Sequence, residues 1–225
     1  MGSKSKKGAY STPCWLSIIG LVASCIKFLH LEKRLKNAQV IILAAGEAKR
    51  FGSPKQLASF KDVSMLEYVI RLALAEGYRP WVALGANREL IQRNCSEVLT
   101  KTNVVDVVYW KRGLSESIGK ALNELVNSGR VTDGVLILLG DQPWLTKEHI
   151  MMMREQAERS PEKIVAADYG GWGGVPAYFP NRYLDGLACL VGDGGAKQLI
   201  ADCPHVLVDV GDAVRDVDYP DDLRV

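Results

Sequence analysis

Histidine and closely paired cysteine are scarce: the 225 residues include three His and five Cys. Cys14, Cys25, Cys95, Cys189 and Cys203 are widely scattered, with no C-x-x-C pair and only His30, His149 and His205 to join them. That spacing argues against a zinc site, and the odd, scattered set argues against a disulfide framework, so a reducing, cytoplasmic compartment fits best. Internal repeats and low-complexity tracts are also missing. Neither charge dominates, since the formal net charge is +2. Residues 1–38 carry seven Lys or Arg against one Glu, which leaves the rest of the chain mildly acidic. Such a body does not suggest nucleic-acid binding. The apolar run from Cys14 to Ile26 falls short of the roughly 20 residues that span a membrane.

That run nevertheless sets the N-terminus apart. Lys4, Lys6 and Lys7 precede it, and Lys27, Lys33, Arg34 and Lys36 follow. The layout is that of a signal-peptide n-region and h-region, and Val22-Ala23-Ser24-Cys25 matches a bacterial lipoprotein cleavage box. Positive charge on both flanks gives no orientation. The expectation is a dispensable basic and apolar extension over residues 1–38, outside the core, followed by one domain over 39–225. Membrane contact through residues 14–29 is the alternative. At 48 % hydrophobic residues, the chain can bury a substantial single core.

The stretch Val40 to Leu57, VIILAAGEAKRFGSPKQL, is the most informative. Val40 to Ala45 has the length and β-branched content of a strand buried on both faces. Gly46 and Gly52 then let the backbone turn and approach a ligand, and Arg50 and Lys55 make the loop cationic. A buried strand that ends in such a loop is a place to hold phosphates. Two familiar phosphate loops are excluded by spacing. A Walker A loop would need glycine at 51 followed by Lys and Ser or Thr, where the chain has Phe51, Gly52, Ser53 and Pro54; a dinucleotide fingerprint fails because positions 48 and 51 are Ala and Phe.

Beyond residue 39, strand and helix patterns alternate. Ser64 to Glu67 reads as a capping box, and Leu66, Val69, Ile70 and Ala73 recur at helical spacing until Gly77 stops the helix. Strands are predicted over Trp81 to Leu84, Val104 to Trp110 and Gly134 to Leu139, and helices over Asn87 to Leu99 and Ser115 to Ser128. The last strand is apolar enough to lie centrally. The alternation implies an α/β fold, with a mostly parallel sheet covered by helices on both faces and ligands bound beyond the carboxyl ends of the strands. Gly140-Asp141-Gln142-Pro143 follows the central strand, so Asp141 would share the crevice with the first loop. A carboxylate near phosphates is what Mg²⁺ requires.

The first loop fits the pattern L-A-A-G, three residues, R-[MF]-G and a lysine, through Leu43, Ala44, Ala45, Gly46, Arg50, Phe51, Gly52 and Lys55. Gly113-Leu114-Ser115-Glu116-Ser117-Ile118, Gly140-Asp141-Gln142-Pro143, Gly192-Asp193-Gly194-Gly195-Ala196-Lys197 and the closing Asp216-Val217-Asp218-Tyr219-Pro220-Asp221-Asp222-Leu223 follow in order. Together these segments resemble the molybdenum cofactor nucleotidyltransferases, most closely the molybdopterin cytidylyltransferases, over residues 40–225. The resemblance implies a three-layer Rossmann-like nucleotidyltransferase fold and transfer of CMP from CTP to the phosphate of molybdopterin. In that scheme Arg50, Lys55 and Asp141 are catalytic. The nucleotide is contacted by Leu43, Ala44, Ala45, Gly46, Arg50, Lys55, Ser117 and Gly140, and Mg²⁺ is held by Asp141 and Asp218. Gly174, Pro176, Gly192 and Asp193 face the acceptor, and a molybdoenzyme or its chaperone is a possible partner.

Two departures fall on the acceptor side. The family's G-H-P tripeptide is here Gly174-Val175-Pro176, and the arginine of its G-D-R-G is Gly194. Leu-Ala-Ala-Gly, where the guanylyltransferases tend to carry Leu-Ala-Gly-Gly, and the Gly-Asp-Gln-Pro form both point to CTP. A GTP-using relative and a transferase acting on another phosphorylated small molecule remain as alternatives. Methylerythritol phosphate cytidylyltransferase ranks low, because its His-Asp-Ala-Ala-Arg-Pro segment is missing. A serine hydrolase built on Ser115 and His149 is disfavoured, since a nucleophile elbow needs Gly where Ser117 stands. A non-catalytic docking protein for a molybdoenzyme would have little need of Arg50, Lys55 and Asp141 together. Ser115 and Ser117 could instead cap the helix that follows them.

Overall fold

The β-branched run after residue 38 does form a strand buried on both faces. In the computed structural model, which describes residues 37–223, β1 spans Gln39–Ala44, and Val40, Ile41, Ile42 and Leu43 are each at most 4 % exposed. Alternation along the strand divides them. Ile41 and Leu43 join a cluster with Ile118, Leu122 and Leu125 on one face of the sheet, and Val40 and Ile42 project to the other. The N-terminal extension expected over residues 1–38 lies almost wholly outside the described residues.

A short hairpin, β2 (Ser59–Phe60) and β3 (Val63–Ser64), leads into α1 (Met65–Ala75). The Ser64 hydroxyl accepts from the Glu67 amide at 3.2 Å, and the helix buries Met65, Leu66, Val69, Ile70 and Ala73. Gly77 takes a positive φ of 81° just beyond it, the left-handed exit that glycine allows. Next come β4 (Trp81–Leu84), α2 (Arg88–Asn94), α3 (Ser96–Leu99), β5 (Asn103–Asp106), α4 (Leu114–Asn127) and β6 (Gly134–Leu139). After these follow α5 (Lys147–Arg159), β7 (Ile164–Asp168), β8 (Gly173–Pro180), α6 (Leu184–Ala188), α7 (Lys197–Asp202) and β9 (His205–Val208).

Two expected elements differ from the structure. The helix expected over 87–99 is broken at Cys95, whose backbone leaves the helical region at φ −109° and ψ 20°. The strand expected to reach Trp110 stops at Asp106, because its neighbour β4 ends at Leu84 and the Leu84–Asp106 pair is the last on the ladder. Past that point Val108 and Tyr109 are exposed, and Trp110–Arg112 form a 3₁₀ turn.

Seven strands form one sheet in the order β5-β4-β1-β6-β8-β7-β9. The β4–β5, β1–β4, β1–β6 and β7–β9 pairs are parallel, whereas β8 runs antiparallel to both β6 and β7. Helices α4, α6 and α7 contribute Leu122, Leu187 and Ile200 to the cluster on one face. On the other, α1 buries Ile70 and α5 buries Ile150 and Met153. The fold is a three-layer α/β arrangement around a mixed, mostly parallel sheet.

Strand order locates the site. From β1 the chain steps outward through β4 to β5, then returns through α4 to place β6 on β1's opposite side. Strand order therefore reverses between β1 and β6, and an open α/β sheet leaves a crevice at the carboxyl ends of such a pair.

Candidate active site

The crevice is a cleft of about 840 Å³, lined by the first loop from Leu43 to Phe51, Lys55, Gln56, Ser117, Gly140, Asp141, Asp193 and Asp218 among others. The two strand ends are joined where the Gly140 amide donates to the Leu43 carbonyl at 2.9 Å. Gln56 is 3 % exposed and fastens the loop from behind, with Nε2 donating to the carbonyls of Ala44 (3.2 Å) and Gly46 (2.9 Å). A side chain built on Gly46 would meet no protein atom within 4 Å, so the loop backbone is open to a ligand there. Gly85 does the opposite: a Cβ on it would fall 2.6 Å from the Ala45 carbonyl oxygen. Only glycine lets β4's end approach the loop, whose Ala45 carbonyl accepts from the Ala86 amide at 3.0 Å.

Lys55 is the hub. Its Nζ lies 2.6 Å from Asp141 Oδ2 and 3.3 Å from Asp218 Oδ1, and it donates to the Val217 carbonyl at 3.0 Å. The lysine side chain is 14 % exposed and that of Asp141 is 20 % exposed, against 45 % for Asp218. Burial acts to lower the Lys55 pKa, but the paired carboxylates of Asp141 and Asp218 outweigh it and raise the value above that of ordinary lysine. Arg50, more exposed, donates from Nη1 to Asp218 Oδ2 at 3.0 Å. Residues far apart in sequence thus converge: two cations from the first loop, one carboxylate after β6 and one from the closing segment.

That closing segment is pinned. The Val217 amide donates to the Asp141 carbonyl at 3.3 Å, and Asp222 Oδ2 accepts from the amides of Asp218 (2.9 Å) and Tyr219 (2.7 Å). These bonds favour the ionised Asp222 carboxylate and hold its pKa below the usual range. Beneath lies Gln142, fully buried, whose Nε2 is within hydrogen-bond distance of Asp216 Oδ1 (2.9 Å), the Tyr169 hydroxyl (2.9 Å) and the Val175 carbonyl (3.2 Å). Asp216 has a raised pKa, first from burial and then from the charge of Asp141. Tyr169 is pushed up to about 12, again chiefly by burial, with Asp216 adding to it.

The helix caps decide another expectation. Gly113 is the N-cap of α4 with φ 106°, and no side chain caps that helix, so neither Ser115 nor Ser117 has the capping role. Ser117 lines the cleft and is 3 % exposed. The Ser115 Oγ is buried without a hydrogen-bond partner, while His149 Nδ1 is occupied in accepting from the Thr146 amide at the start of α5. A Ser115–His149 pair is therefore not formed.

On the acceptor side the expected residues separate. Asp193 lines the cleft. Gly192 abuts Gly113, with its carbonyl oxygen 2.6 Å from where a Gly113 Cβ would sit, and accepts from the Ser115 amide at 3.2 Å. Gly174 and Pro176 lie in β8 on either side of Val175, whose carbonyl accepts from Gln142 Nε2 at 3.2 Å. Gln56, Gln142, Asp216 and Tyr169 were not foreseen as site residues. Gln56, Gln142 and Asp216 stand inside the motifs of the sequence, but nothing in their spacing distinguishes a fastening role from solvent exposure.

The donor set suits a hard divalent cation. Asp141 and Asp218 present carboxylate oxygens to one point, now held by the Lys55 ammonium. Among the described residues no group of three or more His, Cys, Asp or Glu gathers. Two carboxylates are nonetheless the complement Mg²⁺ normally takes when substrate phosphates and water complete its shell.

A family model described as the MobA-like NTP transferase domain matches residues 40–207. The purine catabolism protein PucB of Bacillus subtilis is 22 % identical over 173 residues, covering 71 % of this chain and 78 % of its own. The crystal structure of Rv0371c from Mycobacterium tuberculosis superimposes with a TM-score of 0.69 at 28 % identity, covering 84 % of this chain and 96 % of that one. A second structure of Rv0371c, in complex with manganese, gives a TM-score of 0.64 at 24 % identity over 78 % of this chain and 90 % of that one. With its strand order, its loop and its convergent charges, the chain belongs to the MobA-like NTP transferase domain family and has the architecture of a nucleotidyltransferase.

Proposed function

We propose that this enzyme transfers CMP from CTP to the terminal phosphate of molybdopterin and releases pyrophosphate. The observation that carries the reading is the Lys55 hub, where one ammonium meets Asp141 and Asp218 beside Arg50 at the strand-order reversal. Arg50 and Lys55 would neutralise the triphosphate. The open backbone at Gly46 would let the nucleotide lie against loop amides, with Ser117 toward the base. An acceptor phosphate oxygen would attack the α-phosphorus; the bond to the bridging oxygen breaks, and the electron pair leaves on pyrophosphate. No protein nucleophile is needed, because positioning and charge stabilisation carry this chemistry.

Asp141 and Asp218 are the residues that would hold Mg²⁺, which when bound supplies positive charge to the phosphate oxygens. The manganese in the Rv0371c structure supports divalent-metal use. Residues 1–38 are inferred to be dispensable for catalysis. A molybdoenzyme or its chaperone would be the recipient of the product.

A second reading, nucleotide transfer to a different phosphorylated small molecule, is favoured by Val175 and Gly194 at the positions of the family's histidine and arginine. Incubation with Mg²⁺, molybdopterin and each nucleoside triphosphate, scoring pyrophosphate, separates these readings. CTP-dependent release is expected. GTP-dependent release would change the base, and release only with other acceptors would change the acceptor.

A further inference from the structure

Two hydrogen bonds that do not involve Lys55 join the segment bearing Asp141 to the closing segment bearing Asp218. One runs from the Val217 amide to the Asp141 carbonyl at 3.3 Å, the other from Gln142 Nε2 to Asp216 Oδ1 at 2.9 Å. Gln142 makes the shorter link and is fully buried. Its amide also reaches the β7–β8 segment, at the Tyr169 hydroxyl (2.9 Å) and the Val175 carbonyl (3.2 Å). The Tyr169 hydroxyl gives its own hydrogen to the Val175 carbonyl, so its oxygen can accept from Gln142. One side chain thus sits where three segments meet.

What that side chain supplies is donors. Gln142 Oε1 is buried without a hydrogen-bond partner, an unmade bond that costs free energy and is tolerated for the sake of the Nε2 contacts. Methionine or an ionised glutamate would fill the same space and give no hydrogen to Asp216 or Tyr169.

The link matters because the Lys55 bridge is replaceable. Asp141 and Asp218 are drawn to one point by the Lys55 ammonium, and a divalent cation at that point would take over those contacts. The two like charges must then be kept side by side by the segments that carry them. The bond from Gln142 to Asp216, one residue from Asp141 and two from Asp218, does not depend on the ammonium.

We propose that Gln142 is a positioning residue for the metal, its amide tying the Asp141 segment to the Asp216–Asp218 segment so that both carboxylates stay aimed at one ion. The inference rests on the reading of Asp141 and Asp218 as the metal ligands. Gln142 acts through those two carboxylates rather than on the ion itself. Outer-shell partners of this kind typically change metal affinity by about 10–100-fold.

The test reads Mn²⁺ binding to the protein without nucleotide, from the electron paramagnetic resonance signal of the free ion, with circular dichroism to verify folding. Gln142→Met should weaken Mn²⁺ binding about tenfold. Asp216→Ala removes the acceptor while leaving the buried amide in place, and should weaken binding comparably. The double variant should bind no more weakly than Gln142→Met, because both changes break one link. Asp216→Asn keeps an acceptor oxygen and should retain most of the affinity. In turnover, Gln142→Met should raise the Mg²⁺ concentration for half-maximal pyrophosphate release, while kcat at saturating Mg²⁺ falls little. The positioning role is overturned if folded Gln142→Met or Asp216→Ala binds Mn²⁺ as wild type does. It is equally overturned if Asp216→Asn loses as much as Asp216→Ala, which would make the Asp216 charge the cause. Asp141→Ala separates the two levels: undiminished Mn²⁺ binding in that variant would overturn the ligand assignment itself, whereas binding lost there but kept in Gln142→Met would overturn the role of Gln142 alone.

Discussion

Along the β1–β6 wall of the cleft Lys55 is 14 % exposed and gripped by two carboxylates and a carbonyl. The flanking 168–176 and 192–197 segments offer glycines, a half-exposed indole and a solvent-facing lysine. The first wall is a network whose members fix one another, as required of groups that must already point at developing charge. The other segments are held largely by their own turns and reach that network through the Tyr169 hydroxyl and the Val175 carbonyl on Gln142. Chemistry common to a family is expected on the first kind of surface and substrate choice on the second, where Val175 and Gly194 depart from the molybdopterin transferase motifs.

The sharpest way to break the comparison is to remove members of the network. Lys55→Ala and Asp141→Ala should each lower turnover by about 10² or more, the scale of losing one transition-state stabilising group, with circular dichroism unchanged. Next in size is Gly113→Ala. It would force an alanine into φ 106° against Gly192 and Asp193 and should cost about 1–3 kcal/mol, read as a lowered Tm with Asp193 displaced. Arg50→Ala should act more weakly, raising the KM for nucleotide several-fold in a manner that fades at high salt, because its partnership with Asp218 is exposed and screened.

The sign of the pH response distinguishes two groups in the same network. The Lys55 pKa is raised on folding, so its pairing contributes stability that is fully present below the ordinary lysine value of 10.5 and is lost as pH rises through the folded value. The Tm difference between wild type and Lys55→Met should therefore shrink above pH 10.5. The Asp216 pKa is also raised from 3.8, which means that its ionised form is the one disfavoured on folding. Asp216→Asn, which keeps an acceptor for Gln142, should give a small rise in Tm at neutral pH that disappears below pH 3.8. Smallest of all, deleting residues 1–38 should leave kcat unchanged.

Legibility in the sequence followed the same division. The strands β1, β4 and β6 were readable because each is a short apolar run bounded by turn residues, and α1 because Ser64 and its apolar spacing coincide. From these the parallel half of the sheet, and the meeting of Lys55 with Asp141, could be inferred. Nothing local indicated that β8 runs antiparallel, since a strand buried almost throughout is compatible with either direction and only pairing with β6 and β7 settles it. The end of β5 at Asp106 was set by the length of its neighbour, information absent from Val107 and Val108 themselves. Gln56 and Gln142 look in sequence like ordinary polar residues; their burial is fixed by carbonyls contributed from elsewhere in the chain.

The most direct test of the convergent charge cluster is pyrophosphate release from CTP with Mg²⁺ and molybdopterin, measured side by side for wild type, Lys55→Ala and Asp141→Ala. Acceptor-dependent release by wild type, falling about a hundredfold in both folded variants, is the predicted result. Undiminished turnover in both variants would contradict the account.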